Sequence, residues 1–176
     1  MRKIILFFLF VFAVGCSFKP PEIKPGNQSY ENEFFSIVHP SSWAVSQSRN
    51  QREKSARFKL YDKGYIKYFI EIDVLGPASD IDEDATSKPL IDKNVMYMEI
   101  KGFRVVSRKS ERIRLGAHDA RLILAQGEGR GRNVDMHYIY LKTERFFYLI
   151  TYHLYDSYSQ GVRERFKAVV DAFVPR

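Results

Sequence analysis

The stretch Arg145-Phe146-Phe147-Tyr148-Leu149-Ile150-Thr151-Tyr152-His153-Leu154 is apolar or aromatic on both alternating faces. Phe146, Tyr148, Ile150 and Tyr152 fall on one side, Phe147 and Leu149 on the other. A strand with one wet face alternates apolar with polar; a strand apolar on both sides is covered on both. These residues therefore predict the central strand of a sheet held between two other layers. Just downstream the period changes. Val162, Phe166, Val169, Val170 and Phe173 recur at helical spacing, with Arg163, Glu164, Lys167 and Asp171 opposite. That is an amphipathic helix over 157–172, suited to lie on the sheet and stopped near Pro175.

Upstream, strands are expected at 103–107, 110–115, 118–125 and 134–141. Their short connections make neighbours antiparallel. Gly116-Ala117 fits a Gly-X hairpin turn. It pairs Leu115 with His118, Arg114 with Asp119, Ile113 with Ala120 and Arg112 with Arg121. Ile113, Leu115, Ala120, Leu122 and Leu124 then face the core, and Arg112, Arg114 and Arg121 gather on the other side. A helix is expected at 87–101, capped by Ser87, with Pro89 in its first turn and Gly102 beyond its end. Further strands are expected at 34–39, 57–61 and 68–75, the last alternating well and closed by Gly76-Pro77. The fold class is α+β: an antiparallel meander flanked by helices.

The chain has 176 residues, with 28 Lys and Arg against 21 Asp and Glu, and one cysteine. That length suits one domain plus appendages. A single cysteine excludes an internal disulfide and a cysteine-based zinc cluster. Met1-Arg2-Lys3, the apolar run Ile4 to Val14 and the small exit residues predict a signal peptide over 1–15. The run is too short to span a bilayer. Without Arg2 and Lys3 the formal charge falls from +7 to +5, which is not the profile of a nucleic-acid binder. Residues 16–32, with Pro20-Pro21 and Pro25-Gly26, read as a flexible tether. The domain is expected over 33–176.

Ala13-Val14-Gly15-Cys16 resembles the lipobox of bacterial lipoproteins. The resemblance implies cleavage between Gly15 and Cys16, and acylation of Cys16 with diacylglycerol and then at its amine. Membrane lipid would then be a partner through Cys16, on the periplasmic face of a bacterial envelope. Ser17 after the cysteine resembles outer-membrane sorting in enterobacteria. Ala13 stands where that motif most often has Leu. The same residues fit an ordinary cleavage site, which would leave a secreted protein with a free thiol.

Phe35-Ser36-Ile37-Val38-His39-Pro40-Ser41-Ser42-Trp43 resembles the opening of PsbP-like and DcrB-like domains, as does the closing helix with Phe166, Val169, Val170 and Phe173. The order of elements between them is similar too. The resemblance implies an α-β-α sandwich around an antiparallel sheet. It implies little chemistry, since that fold hosts photosystem accessory subunits, nuclear-transport cofactors and many bacterial lipoproteins.

No catalytic constellation, cofactor motif or metal site is expected. His39, His118, His137 and His153 lack compact ligand spacing, although His137 and His153 lie on paired strands. There is no Gly-x-Ser-x-Gly elbow. Asp80, Asp82, Glu83 and Asp84 lack the glycine and terminal glutamate of a calcium loop and read as a solvated loop before a helix. Gly127-Glu128-Gly129-Arg130-Gly131-Arg132 lies between strands, unlike a phosphate cradle, which leads into a helix; it reads as a mobile hairpin loop. Two arginine groups are candidate contacts for an anion or partner: Arg112, Arg114 and Arg121 on the hairpin face, and Arg130 and Arg132 on the glycine run. The functional expectation is a non-enzymatic, lipid-anchored envelope domain assisting another envelope protein or complex. The alternative is a lipoprotein holding a small ligand between sheet and helices.

Overall fold

The computed structural model describes residues 26–50 and 55–176. Its strands are β1 (Asn27–Glu31), β2 (Phe35–Pro40), β3 (Trp43–Asn50), β4 (Ser55–Asp62), β5 (Tyr65–Leu75), β6 (Arg104–Leu115), β7 (His118–Gly129), β8 (Arg132–Lys142), β9 (Phe147–Tyr155) and β10 (Val174–Pro175). Helix α1 spans Glu83–Ile100 and α2 spans Gln160–Asp171. Seven strands form an antiparallel sheet in the order β3-β4-β5-β9-β8-β7-β6, and β1-β2-β10 form a smaller one.

Strand β9 sits in the middle of the large sheet, between β5 and β8. Tyr148 and Ile150 are buried on one face, Phe147 and Leu149 on the other. The first face carries α2 and the small sheet: Phe58, Leu60, Ile70, Ile72 and Tyr148 pack against Phe35, Phe166, Val169 and Phe173. The second carries α1: Met136, Tyr138, Phe147 and Leu149 pack against Ile91 and Met98. The layers are thus the expected α-β-α sandwich, with the small sheet filling the α2 layer.

The Tyr148 hydroxyl ties these layers at one corner. It donates toward the Phe34 carbonyl at 2.6 Å and lies 2.9 Å from that of Arg176, while the Arg176 amide donates back at 3.2 Å. The chain therefore returns to its own beginning. Val174 and Pro175 pair with Ser36 and Phe35, and the Arg176 guanidinium pairs with Glu31.

Several boundaries differ from expectation. The folded part begins before Glu33, because β1 pairs with β2 across residues expected to be tether. Strand β3 was not anticipated: after Trp43 and Val45 it reads Ser46-Gln47-Ser48-Arg49-Asn50, an edge strand without apolar alternation. Strand β6, expected as two pieces, is one strand with an irregularity between Val105 and Ser107. It is the opposite edge, and its Arg and Lys side chains leave no apolar period to read. Such charge suits an exposed edge that must not recruit another chain. Helix α1 starts ahead of Ser87: the Asp82 carboxylate caps it, accepting from the Ala85 amide at 2.8 Å. Pro89 then lies inside the helix, where it has no N–H for the preceding turn.

Candidate functional site

The 116–117 hairpin has the expected register: Leu115 opposes His118, Arg114 opposes Asp119, Ile113 opposes Ala120 and Arg112 opposes Arg121. The arginines share the α1 face. They meet the acids that open α1. Arg121 Nη1 lies 3.3 Å from the Asp84 carboxylate and 3.1 Å from the Tyr140 hydroxyl. Arg114 donates to the Ala117 carbonyl at 2.9 Å and lies 3.7 Å from Asp119. Arg112 lines a polar hollow of about 360 Å³ with Glu83, Asp119 and Arg121. The acids that open α1 and the arginine face thus supply counter-charge to each other. Arg121 is matched by Asp84 and Arg114 by Asp119, whereas Arg112 has no ion pair among the described residues and shares its hollow with Glu83 and Asp119.

Arg130 and Arg132 sit at the far end of β7, roughly 35 Å along a strand of that length. The five arginines therefore do not form one site. The glycine run is not a loop but the paired end of the β7–β8 hairpin, with Gly129 opposite Arg132. Only Arg130 and Gly131 turn, at φ 52° and 71°, the positive-φ pair of a tight hairpin. Arg130 lies over Gly102, and the Arg132 guanidinium stands 5.5 Å over the Tyr155 ring. Gly15 and Cys16, the expected cleavage and lipidation residues, lie outside the described residues.

His137 and His153 face opposite sides of the sheet, because His137 opposes Tyr152 and His153 opposes Met136. Burial holds both imidazoles neutral, pushed down to about 4; burial lowers His39 as well. An unfolded histidine titrates near 6.5. Between about pH 6.5 and 4 the unfolded chain binds protons that the folded chain refuses, so stability is full above this window and falls as pH drops through it. Urea midpoints measured from pH 7 to pH 4.5 should fall, and His137→Gln should flatten the slope.

The two covering layers leave two halves of the sheet open, and these differ in chemistry. Over β4 and β5, on the α1 side, the open half is charged: Arg57 lies 2.6 Å from Asp73 and 3.3 Å from Glu71. On the α2 side, β6, β7 and β8 run out beyond the helix and are aliphatic. Ile113, Leu122, Ile139 and Leu154 floor a groove of about 440 Å³, and Val170 of α2 walls it. Ile113, Leu122 and Leu124 were expected in the core, yet they are only half-buried, because α2 covers this part of the sheet incompletely. His137 lies at the groove, stacked on Tyr152 with centroids 4.4 Å apart, and its buried Nδ1 has no partner among the described residues. The rim is polar and paired: Lys167 with Asp171 at 2.6 Å, and Arg163 with Asp135 at 3.5 Å and the Tyr155 carbonyl at 2.8 Å.

The sequence reading allowed a ligand between sheet and helices but named no residues for it, because the groove's floor has the same alternating pattern as a core. The available signal was a mismatch of extent: two helices, one of them three turns long, cannot cover both faces of a wide sheet.

Among solved structures, the chain is similar to cyanobacterial PsbP (CyanoP) from Synechocystis, with a TM-score of 0.64 at 9% identity over 86% of this chain and 93% of that one. The fold is PsbP-like. Weaker likenesses are to a Bacteroides thetaiotaomicron protein (TM-score 0.43, 17% identity, 81% of this chain and 45% of that one) and to PA94 of Pseudomonas aeruginosa, titled a protein of unknown function and regulator candidate (0.41, 18%, 85% and 97%). No protein-family model matches the sequence, and no curated protein does. Among the described residues, no helix of this PsbP-like domain is long and apolar enough to cross a membrane.

Proposed function

We propose that this protein is a bacterial envelope lipoprotein, anchored through acylated Cys16, whose PsbP-like domain is a non-enzymatic binding or accessory module for another envelope component. Its expected place is the periplasmic face, with the outer membrane slightly favoured over the inner if the cell is Gram-negative. The anchor rests on the lipobox-like exit Ala13-Val14-Gly15-Cys16. Binding rests on one observation: the open half of the sheet beside α2 is aliphatic, whereas the other open half is charged. Within the aliphatic half Ile113 and Leu122 are half-buried above buried Ile139 and Leu154, an apolar floor that a partner or ligand can cover further. The binding surface is therefore assigned to the groove of Ile113, Leu122, Ile139 and Leu154.

A second reading, a small apolar ligand in the same groove, is supported by its volume. About 440 Å³ falls within the range of about 300–1,000 Å³ of ligand-holding clefts. Site-specific photo-crosslinking in the native envelope separates the two. A crosslinker at Leu122 should yield one discrete protein adduct, absent with the crosslinker at Arg57, and Cys16→Ser should release the protein from the membrane fraction. Lipid-sized adducts at Leu122 would favour the small-ligand reading. Identical adducts from both positions would remove the groove from the proposal.

A further inference from the structure

We propose a second binding site on the opposite face of the sheet, between the C-terminal turn of α1 and strands β4, β5 and β9, for a small aromatic carboxylate. A partly enclosed cavity of about 290 Å³ lies there, lined by Lys59, Phe69, Tyr97, Lys101, His153 and Tyr155, with Met98 behind. Its chemistry comes from three elements. Lys59 extends from β4 over the Phe69 ring, Nζ 4.0 Å from the centroid. Lys101, at the end of α1, stands 4.3 Å over the Tyr97 ring. The pairing of Ile70 with Tyr152 sets Phe69 and His153 on one face of adjacent strands, so His153 joins the floor beside Phe69.

Two features point to an anion. Among the described residues, neither ammonium is paired with a carboxylate. Glu71 faces Lys59 across the strands, but its carboxylate is turned to Arg57 at 3.3 Å. Two cations converging on one enclosed space repel each other, and an anion between them relieves that repulsion. Secondly, the His153 Nε2 atom is buried without a hydrogen-bond partner, a state a native structure tolerates where a bound group completes it. Burial and Lys101 hold that imidazole neutral, so one ring nitrogen can donate to a carboxylate oxygen. The walls choose the rest of the ligand. Phe69, Tyr97 and Tyr155 make the lining aromatic around the two ammoniums, and the volume admits about one ring.

Benzoate is the probe. With the full chain in detergent at neutral pH and matched ionic strength, benzoate should raise the melting temperature saturably and shift the His153 ring resonances. It should also raise the His153 pKa, since a carboxylate beside the ring favours its charged form against burial and Lys101. The double variant Lys59→Gln, Lys101→Gln removes the two ammoniums, with their contacts to the Phe69 and Tyr97 rings, and should bind at least tenfold more weakly. Arg112→Gln, on another part of the sheet, should bind as the parent does. The proposal is overturned if benzoate gives no saturable response, if phosphate binds as well or in its place, or if the double variant binds unchanged.

Discussion

Replacing Phe166 by Ala should cost about 4 kcal/mol, the scale for deleting a fully buried phenyl ring. Phe166 is 0% exposed. Its ring packs edge-on to Trp43 at 5.3 Å and lies 5.8 Å from Tyr152. It thereby fastens α2 to the opening segment and to the central strand at once. A domain of this size is stable by about 5–15 kcal/mol, so the variant should lose a large share of that. Urea denaturation of the purified domain measures it. The loss should reach function as well, because α2 walls the groove through Val170. A variant less than about 1 kcal/mol below the parent would show that α2 is held by other contacts.

Gly129→Ala should also cost about 3 kcal/mol or more, the upper range for forcing atoms into filled space. A Cβ at Gly129 would stand 2.0 Å from the Gly102 carbonyl oxygen and 2.9 Å from Phe103 Cα. Both obstacles are backbone, so no rotamer change clears them. The β7–β8 hairpin or the end of α1 must move instead. Gly131→Ala is the informative comparison: nothing crowds its Cβ, but its φ is 71°. Left-handed geometry alone costs a side chain about 1–2 kcal/mol. Thermal melts should therefore rank the parent above Gly131→Ala, and that above Gly129→Ala. The reverse order would mean that the turn, not the close approach of α1, governs this corner.

These two glycines show what was legible and what was not. Composition marked the 127–132 run as special but read it as a mobile loop, whereas only Arg130 and Gly131 turn. The clash partner at Gly102 lies far away in sequence, so only the folded structure reveals why Gly129 is glycine. The same division holds elsewhere. Strand β9, helix α2 and the register from Arg112 to Arg121 were readable because burial stamps a period on each. Strands β3 and β6 were missed or split because edge strands with exposed faces carry no such stamp. The first turn of α1 was hidden by its acids, which read as a loop until Arg121 and Tyr140 supplied partners. The groove's residues escaped because an aliphatic floor awaiting a ligand has the same pattern as one covered by a helix. The cavity at His153 escaped because Lys59, Lys101 and His153 come from three distant segments.

The strand order of the small sheet has a mechanical consequence. A chain anchored ahead of Gly26 transmits any pull from the membrane into β1, which is five residues long and pairs with β2. Such a pull would load the Asn27–Pro40 end of that pair first, where the Ser41 amide donates to the Gly26 carbonyl at 2.8 Å and the Gln28 side chain donates to the Trp43 carbonyl at 3.3 Å. The other end of β1 is fastened at Glu31, where the Arg176 side chain clasps the carboxylate and the Tyr148 hydroxyl holds the neighbouring backbone. A load on the chain ahead of Gly26 is thus met by a five-residue strand fastened at both ends.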